Sequence, residues 1–286
     1  MEQEPPTTVG VVNSKWPENH VPISDSDLET LRLAVQALET PSLPARLAAV
    51  VGRPIELLAG NLPFGSSQIV SAAVQKGLAA ALKVALATLK GRPAEGSNLL
   101  HKSLAVASGA IGGAMGASTL AVELPVSTIV MLRSIADIAK SEGEDLHDPE
   151  AALACLQVFA LGGASRGDDA AESAYFAVRS FLAKSTAEAA RYIAERGIVE
   201  EGAPHVVRFL AHIAARFGVV VSHKFAAQAV PVIGALGGAV VNYAFIDHFQ
   251  TVARGHFAVR RLERAYGKDT VRAEYDRIRD AVAGTG

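Results

Sequence analysis

Gly109-Ala110-Ile111-Gly112-Gly113-Ala114 and Gly234-Ala235-Leu236-Gly237-Gly238-Ala239 agree at five of six positions. The first lies within Ser103 to Val122, twenty residues without a charge, and the second within Phe225 to Ile246, twenty-two without one. Glu123 follows the first stretch and Asp247 the second. A helix rises about 1.5 Å per residue, so each stretch is long enough to cross the roughly 30 Å hydrocarbon core of a bilayer. Glycine inside a helix costs about 1 kcal/mol relative to alanine. Clustered glycine therefore needs a reason, and close approach of helix backbones is the usual one. Gly112-x-x-x-Gly116 has the small-xxx-small spacing that permits it. The expected packing glycines are Gly109, Gly112, Gly113, Gly116, Gly234, Gly237 and Gly238. The expected fold is all-α: a multi-helix bundle with two glycine-rich helical hairpins packed at its centre.

The rest of the chain agrees with helices. Half of the 286 residues are apolar but only 6% are aromatic, a mix that disfavours sandwiches and barrels. Residues 1–23 carry four of the thirteen prolines and no periodicity, and read as an extended arm anchored only by Trp16. Residues 24–286 read as one helical domain. Ser26 stands three before Glu29, a capping-box spacing ahead of Leu28, Leu31, Val35 and Leu38. Further helices are expected after Pro44, from Ser66 to Lys90, from Pro125 to Ser141 with Glu123 as cap, and after the Asp148-Pro149 cap. Another runs from about Asp168 to Gly197. Two long helices should meet near Pro231, and a short charged helix ends the chain.

Charge and cysteine content exclude several functions. Twenty-seven basic against twenty-nine acidic residues gives a net charge of −2, which argues against nucleic acid as a partner. A single cysteine, Cys155, rules out a disulfide framework or a cysteine-built zinc site. The opening Met1-Glu2-Gln3-Glu4-Pro5-Pro6 has no apolar run, so a cytoplasmic location is expected. The uncharged stretches read two ways: as a buried core in a soluble bundle, or as surfaces that meet lipid.

Glu123-Leu124-Pro125 followed by Arg133-Ser134-Ile135-Ala136-Asp137 resembles the EcsC-like bacterial proteins. So does Val230-Pro231-Val232-Ile233-Gly234 leading into Asn242-Tyr243-Ala244-Phe245-Ile246-Asp247, and the resemblance spans about residues 66 to 266. It implies a helical family named from an operon that also encodes an ABC transporter, often predicted to be membrane-associated and without established catalytic residues. It also implies polar family positions at Glu123, Asp137, Asn242 and Asp247.

Two constellations could carry chemistry. Glu123, Arg133, Asp137, Asp247 and His248 follow the uncharged stretches, and Asn242 lies within the second. Were the hairpins adjacent, three carboxylates and an imidazole would suit a divalent metal. A salt-bridge network is the plainer use, with Arg133 and Asp137 one turn apart. Arg254, Arg260, Arg261 and Arg264 crowd the helix beyond the second stretch, where they would meet anionic lipid headgroups or pair locally. Gly163-Ala164-Ser165-Arg166-Gly167 matches a hydrolase pattern but lacks the strand that motif needs. The acidic turn from Ser141 to Asp148 lacks the ligand ladder of a calcium loop.

The leading expectation is a non-enzymatic, membrane-proximal or lipid-interacting helical protein, linked by the resemblance to transport or envelope processes. Its partners would be anionic membrane lipid or a membrane protein, with self-association permitted. It would lie in the cytoplasm, peripheral at or inserted in the inner membrane, and need no cofactor. The alternative is a soluble helical metal-binding protein or enzyme built on the central carboxylate/histidine cluster, holding a divalent metal.

Overall fold

Ser24 starts the first helix, two residues ahead of the expected cap. Its Oγ accepts from Asp27 N at 3.2 Å and donates to Asp27 Oδ2 at 3.1 Å, so Ser24 is the capping side chain. In the computed structural model the described residues are 22–39, 43–52, 59–60, 66–89, 116–162, 174–196, 203–228 and 234–283. They are helical throughout apart from short connections, with no strand among them. We label the helices α1 (Asp25–Glu39), α2 (Leu43–Val51), α3 (Ser66–Leu89), α4 (Gly116–Ser141), α5 (Pro149–Leu161), α6 (Ala174–Arg196), α7 (Pro204–Gln228), α8 (Gly234–Tyr266) and α9 (Lys268–Ala283).

The centre of the bundle is α5. Asp148 caps it by accepting from Glu150 N at 3.0 Å, with Pro149 at its first position. Every residue from Ala151 to Leu161 is buried, so the helix has no solvent face. An amphipathic helix can lie on a surface, but one that is apolar all round must be enclosed. Helices α3, α4, α6, α7 and α8 all pack on it. Phe159 meets Phe217 of α7 and Phe249 of α8 at centroid distances of 5.0 and 5.4 Å, which fixes the centre with aromatic contacts. The central place expected for the glycine-rich stretches falls largely on residues outside those described. Gly109, Gly112 and Gly113 lie outside the described residues, Gly116 begins α4, and Gly234, Gly237 and Gly238 lie in the first turns of α8.

The long helix α8 is the second organiser, about 50 Å from end to end at 1.5 Å per residue. It touches α1, α2, α4, α5, α7 and α9. Other glycines provide the close approaches. A Cβ on Gly77 of α3 would lie 2.9 Å from Thr128 Oγ1 on α4, and one on Gly255 of α8 would lie 3.2 Å from the Ala34 carbonyl oxygen on α1. Pro125 sits inside α4, so Glu123 belongs to that helix and does not cap it. Residues 1–21, the break expected at Pro54, the Gly163–Gly167 motif and the start of the Asp168 helix lie outside the described residues, but the segment before that motif is α5, a helix.

Candidate functional site

One lysine interrupts the long uncharged run between Arg216 and Asp247. Lys224, near the end of α7, is wholly enclosed. Its Nζ donates to Glu123 Oε1 of α4 at 2.7 Å and to Asn242 Oδ1 of α8 at 3.0 Å. The same ammonium stands 4.7 Å from the centre of the Phe245 ring, a cation–π contact. Glu123 is one-third exposed, so the group reaches from the interior to the surface. Burial pushes the Lys224 ammonium below its ordinary range, with the Glu123 charge and hydrogen bond working in the opposite direction. A buried charge is tolerated only when paired and hydrogen-bonded, and this one has both.

This arrangement brings together Glu123 and Asn242, two of the candidate polar residues, through a residue missed in the sequence reading. The signal was the solitary charge itself: from Phe217 to Ile246, Lys224 is the only residue with a formal charge at neutral pH. The other positions go elsewhere. His248 Nε2–H donates to the Gly162 carbonyl at 2.8 Å, closing the end of α5. A Cβ on Gly162 would meet the Phe249 ring at 2.5 Å, so that residue must be glycine for α8 to pack there. Arg133 and Asp137 face a cavity between α3, α4 and α5. Asp247 is half-buried on α8. The expected metal set of Glu123, Asp137, Asp247 and His248 is thus not assembled, and no group of three His, Cys, Asp or Glu suited to a metal occurs among the described residues. The ammonium of Lys224 occupies the place between Glu123 and Asn242 that a cation would need.

The arginines of α8 meet an acidic turn. Arg260 donates to both oxygens of Glu144 at 2.8 and 3.0 Å, and Arg264 binds the same carboxylate and the Glu142 carbonyl. Arg261 reaches Glu142 at 2.9 Å and Asp27 of α1 at 3.0 Å. The turn from Glu142 to Asp145 is therefore an anchor for α8. Arg254 alone of the four arginines singled out in the sequence has no such bond shown and is exposed. Nearby, Arg179 of α6 holds Glu263 with two bonds at 2.8 and 2.9 Å and donates to Tyr175 Oη, which is hydrogen-bonded to His256 Nδ1 at 3.0 Å. His256 is fully enclosed and its Nε2 has no hydrogen-bond partner. Burial, then the charges of Arg179 and Arg260, push its pKa well below the ordinary value.

The outside of α7 carries exposed apolar residues. Val207, Ala211, Ala215 and Val219 recur every four residues and are all exposed, giving an uncharged stripe over three turns. Phe181 of α6 is 55% exposed and its ring lies 4.8 Å from His212, which extends the stripe sideways. On α8, Val240 and Tyr243 are one turn apart and exposed, Tyr243 to 71%. Helices α3 and α7 are long and apolar enough to cross a membrane, with 44% and 33% of their apolar windows buried in the bundle.

The model of the EcsC protein family matches residues 14–262. The chain belongs to the EcsC protein family. The match begins well before the stretch on which the resemblance was first read, so α1 and α2 are part of the family's fold together with α3 to α8. Searches of curated proteins and of solved structures returned no match.

Proposed function

We propose that this EcsC protein is a non-enzymatic, membrane-associated helical protein that docks peripherally on lipid through the outer face of α7. The observation that carries the reading is the exposed stripe Val207, Ala211, Ala215 and Val219, with Phe181 beside it. Exposed apolar area of this extent is unfavourable in water and gains free energy when covered by an acyl boundary. The opposite face of α7 buries Val206, Phe209, Ile213, Phe217 and Val221 in the bundle, so the helix lies along the surface and does not thread through it. The arginines act differently from a steering patch: Arg260, Arg261 and Arg264 have carboxylate partners, so docking is apolar and tolerant of salt. The location that goes with this reading is the cytoplasmic surface of the inner membrane.

Flotation with vesicles of mixed zwitterionic and anionic phospholipid tests it. Wild-type protein should float at low and high salt, and Val207→Glu with Val219→Glu should abolish flotation without altering the thermal transition, since both residues are exposed. Protein that stays with the soluble fraction in every condition, or a double variant that floats normally, would refute the reading. Lipid-free self-association lost in the same variant would assign the stripe to a second copy instead.

A further inference from the structure

We propose that the groove on α1, α6 and α8 that holds α9 also receives the α9 of a second copy, so that two chains exchange their last helices. The chemistry of the occupant is set by the helix already seated there. Val271, Tyr275 and Ile278 stand at i, i+4 and i+7 on α9, one face of a helix, and all three are buried. Tyr275 stacks on Tyr175 of α6 with ring centres 5.6 Å apart and meets Phe176 at 5.0 Å. Its hydroxyl donates to Glu39 of α1 at 2.9 Å. Lys268, Asp269, Arg272, Arg277 and Asp280 are exposed on the rest of the helix. Such a helix has one face that can leave water, and this groove is matched to it.

Only Gly267 separates α8 from α9. Its φ of 87° is left-handed, a conformation that glycine adopts freely and other residues do not. Helical bonding continues on both sides of it: Gly267 N donates to Glu263 O at 3.0 Å, and Val271 N to Gly267 O at 3.2 Å. A change of backbone conformation at that one residue would join α8 and α9 into a straight helix of about 50 residues, roughly 75 Å long. In the folded chain α9 doubles back along α1: Tyr266 reaches Asp27 near the start of α1, and Tyr275 reaches Glu39 at its end. Straightened, α9 leaves its own groove and runs antiparallel to α8 of a second chain across a two-fold axis. Each groove then regains the contacts it lost, so hinge conformation and chain concentration set the balance. The exchange does not rest on membrane docking.

Light scattering on full-length protein, refolded without lipid over a range of concentrations, tests this. A Cβ at Gly267 would meet nothing within 4 Å, so a substitution there acts through the backbone. Gly267→Ala penalises the left-handed link in both chains of a pair and should raise the dimer association constant at least tenfold over wild type. Gly267→Asn, which tolerates that conformation better, should fall between the two. Three glycines inserted after Gly267 relax the link and should leave the chain monomeric. Val207→Glu with Val219→Glu, added to Gly267→Ala, should leave the dimer intact, which separates this contact from one made by the α7 stripe. Dimer no greater in Gly267→Ala than in wild type, or lost with the stripe changes, would overturn the exchange. If circular dichroism shows that Gly267→Ala does not fold, wild type against the insertion chain decides, and equal dimer in those two overturns it as well. Because no lipid is present, failure here leaves the flotation result standing, and loss of flotation leaves this one.

Discussion

Lys224 and Glu123 are unequal partners, and mutation should expose the inequality. Lys224 is enclosed, whereas Glu123 keeps a third of its side chain in water. Glu123→Gln leaves the ammonium buried with Asn242 and Phe245 alone, and removing one partner of a buried pair costs about 3–5 kcal/mol. Lys224→Met puts an unbranched apolar chain in the same tunnel and lets Glu123 turn to solvent, so the loss should be smaller than for Glu123→Gln. Denaturant titration of both variants checks the order. His256 gives the protein an acid-sensitive step. Its native pKa lies well below 6.5, because burial and the charges of Arg179 and Arg260 oppose protonation, so the unfolded chain takes up a proton that the folded one refuses. The contribution is complete above 6.5 and is lost as pH falls toward the native value, at up to about 1.4 kcal/mol per pH unit. Tyr175 is hydrogen-bonded to the ring, and Arg179 and Arg260 are the charges that act on it. His256→Phe should therefore flatten the dependence of unfolding free energy on pH between 6.5 and 5, even where its overall stability is lower. An unchanged slope would remove His256 as the cause.

Between elements, the strongest polar tie is the clamp of α8 on the turn after α4. Glu144 is nearly enclosed and held by Arg260 and Arg264, which together pull its carboxyl below the ordinary range against the effect of burial. Arg260→Gln should cost about 1.5–3 kcal/mol, the range for hydrogen bonds to charged groups, whereas Arg254→Gln on the exposed side should cost less than 0.5. Thermal melts of the two variants separate a structural clamp from a headgroup patch; equal effects would argue against the clamp. Local signals of this kind were readable in the sequence: the Asp148-Pro149 cap and the Ser66 start are short-range chemistry. Pro125 was misleading, because a proline that suits a first turn was here accommodated inside α4. The close approaches at Gly77, Gly162 and Gly255 were not readable, since each depends on a side chain or carbonyl from another helix: Thr128, Phe249 and Ala34.

At the scale of the molecule, the all-helical architecture followed from composition and periodicity, but the identity of the central helix did not. Eleven consecutive buried residues in α5 show no amphipathic rhythm, so nothing local marks that helix as the fully enclosed one. The same limit applied to the polar positions. Glu123 and Asn242 were both named among the polar candidates, yet the lysine joining them stands 101 residues from the first and 18 from the second. The flotation prediction belongs to this scale, because it depends on α6 and α7 lying side by side to form one face. So does a further property of the helix ends. Asp27 of α1 is held by Arg261 and by the Tyr266 hydroxyl, and Glu39 accepts from Tyr275 of α9, contacts spanning 234, 239 and 236 residues. The first described helix made by the ribosome thus has no docking site until nearly the whole chain has emerged. At about 5–20 residues per second, Leu31, Val35 and Leu38 wait many seconds without cover. Synthesis itself becomes the interval in which this protein is most exposed to aggregation, and in which a chaperone would find its binding stripe.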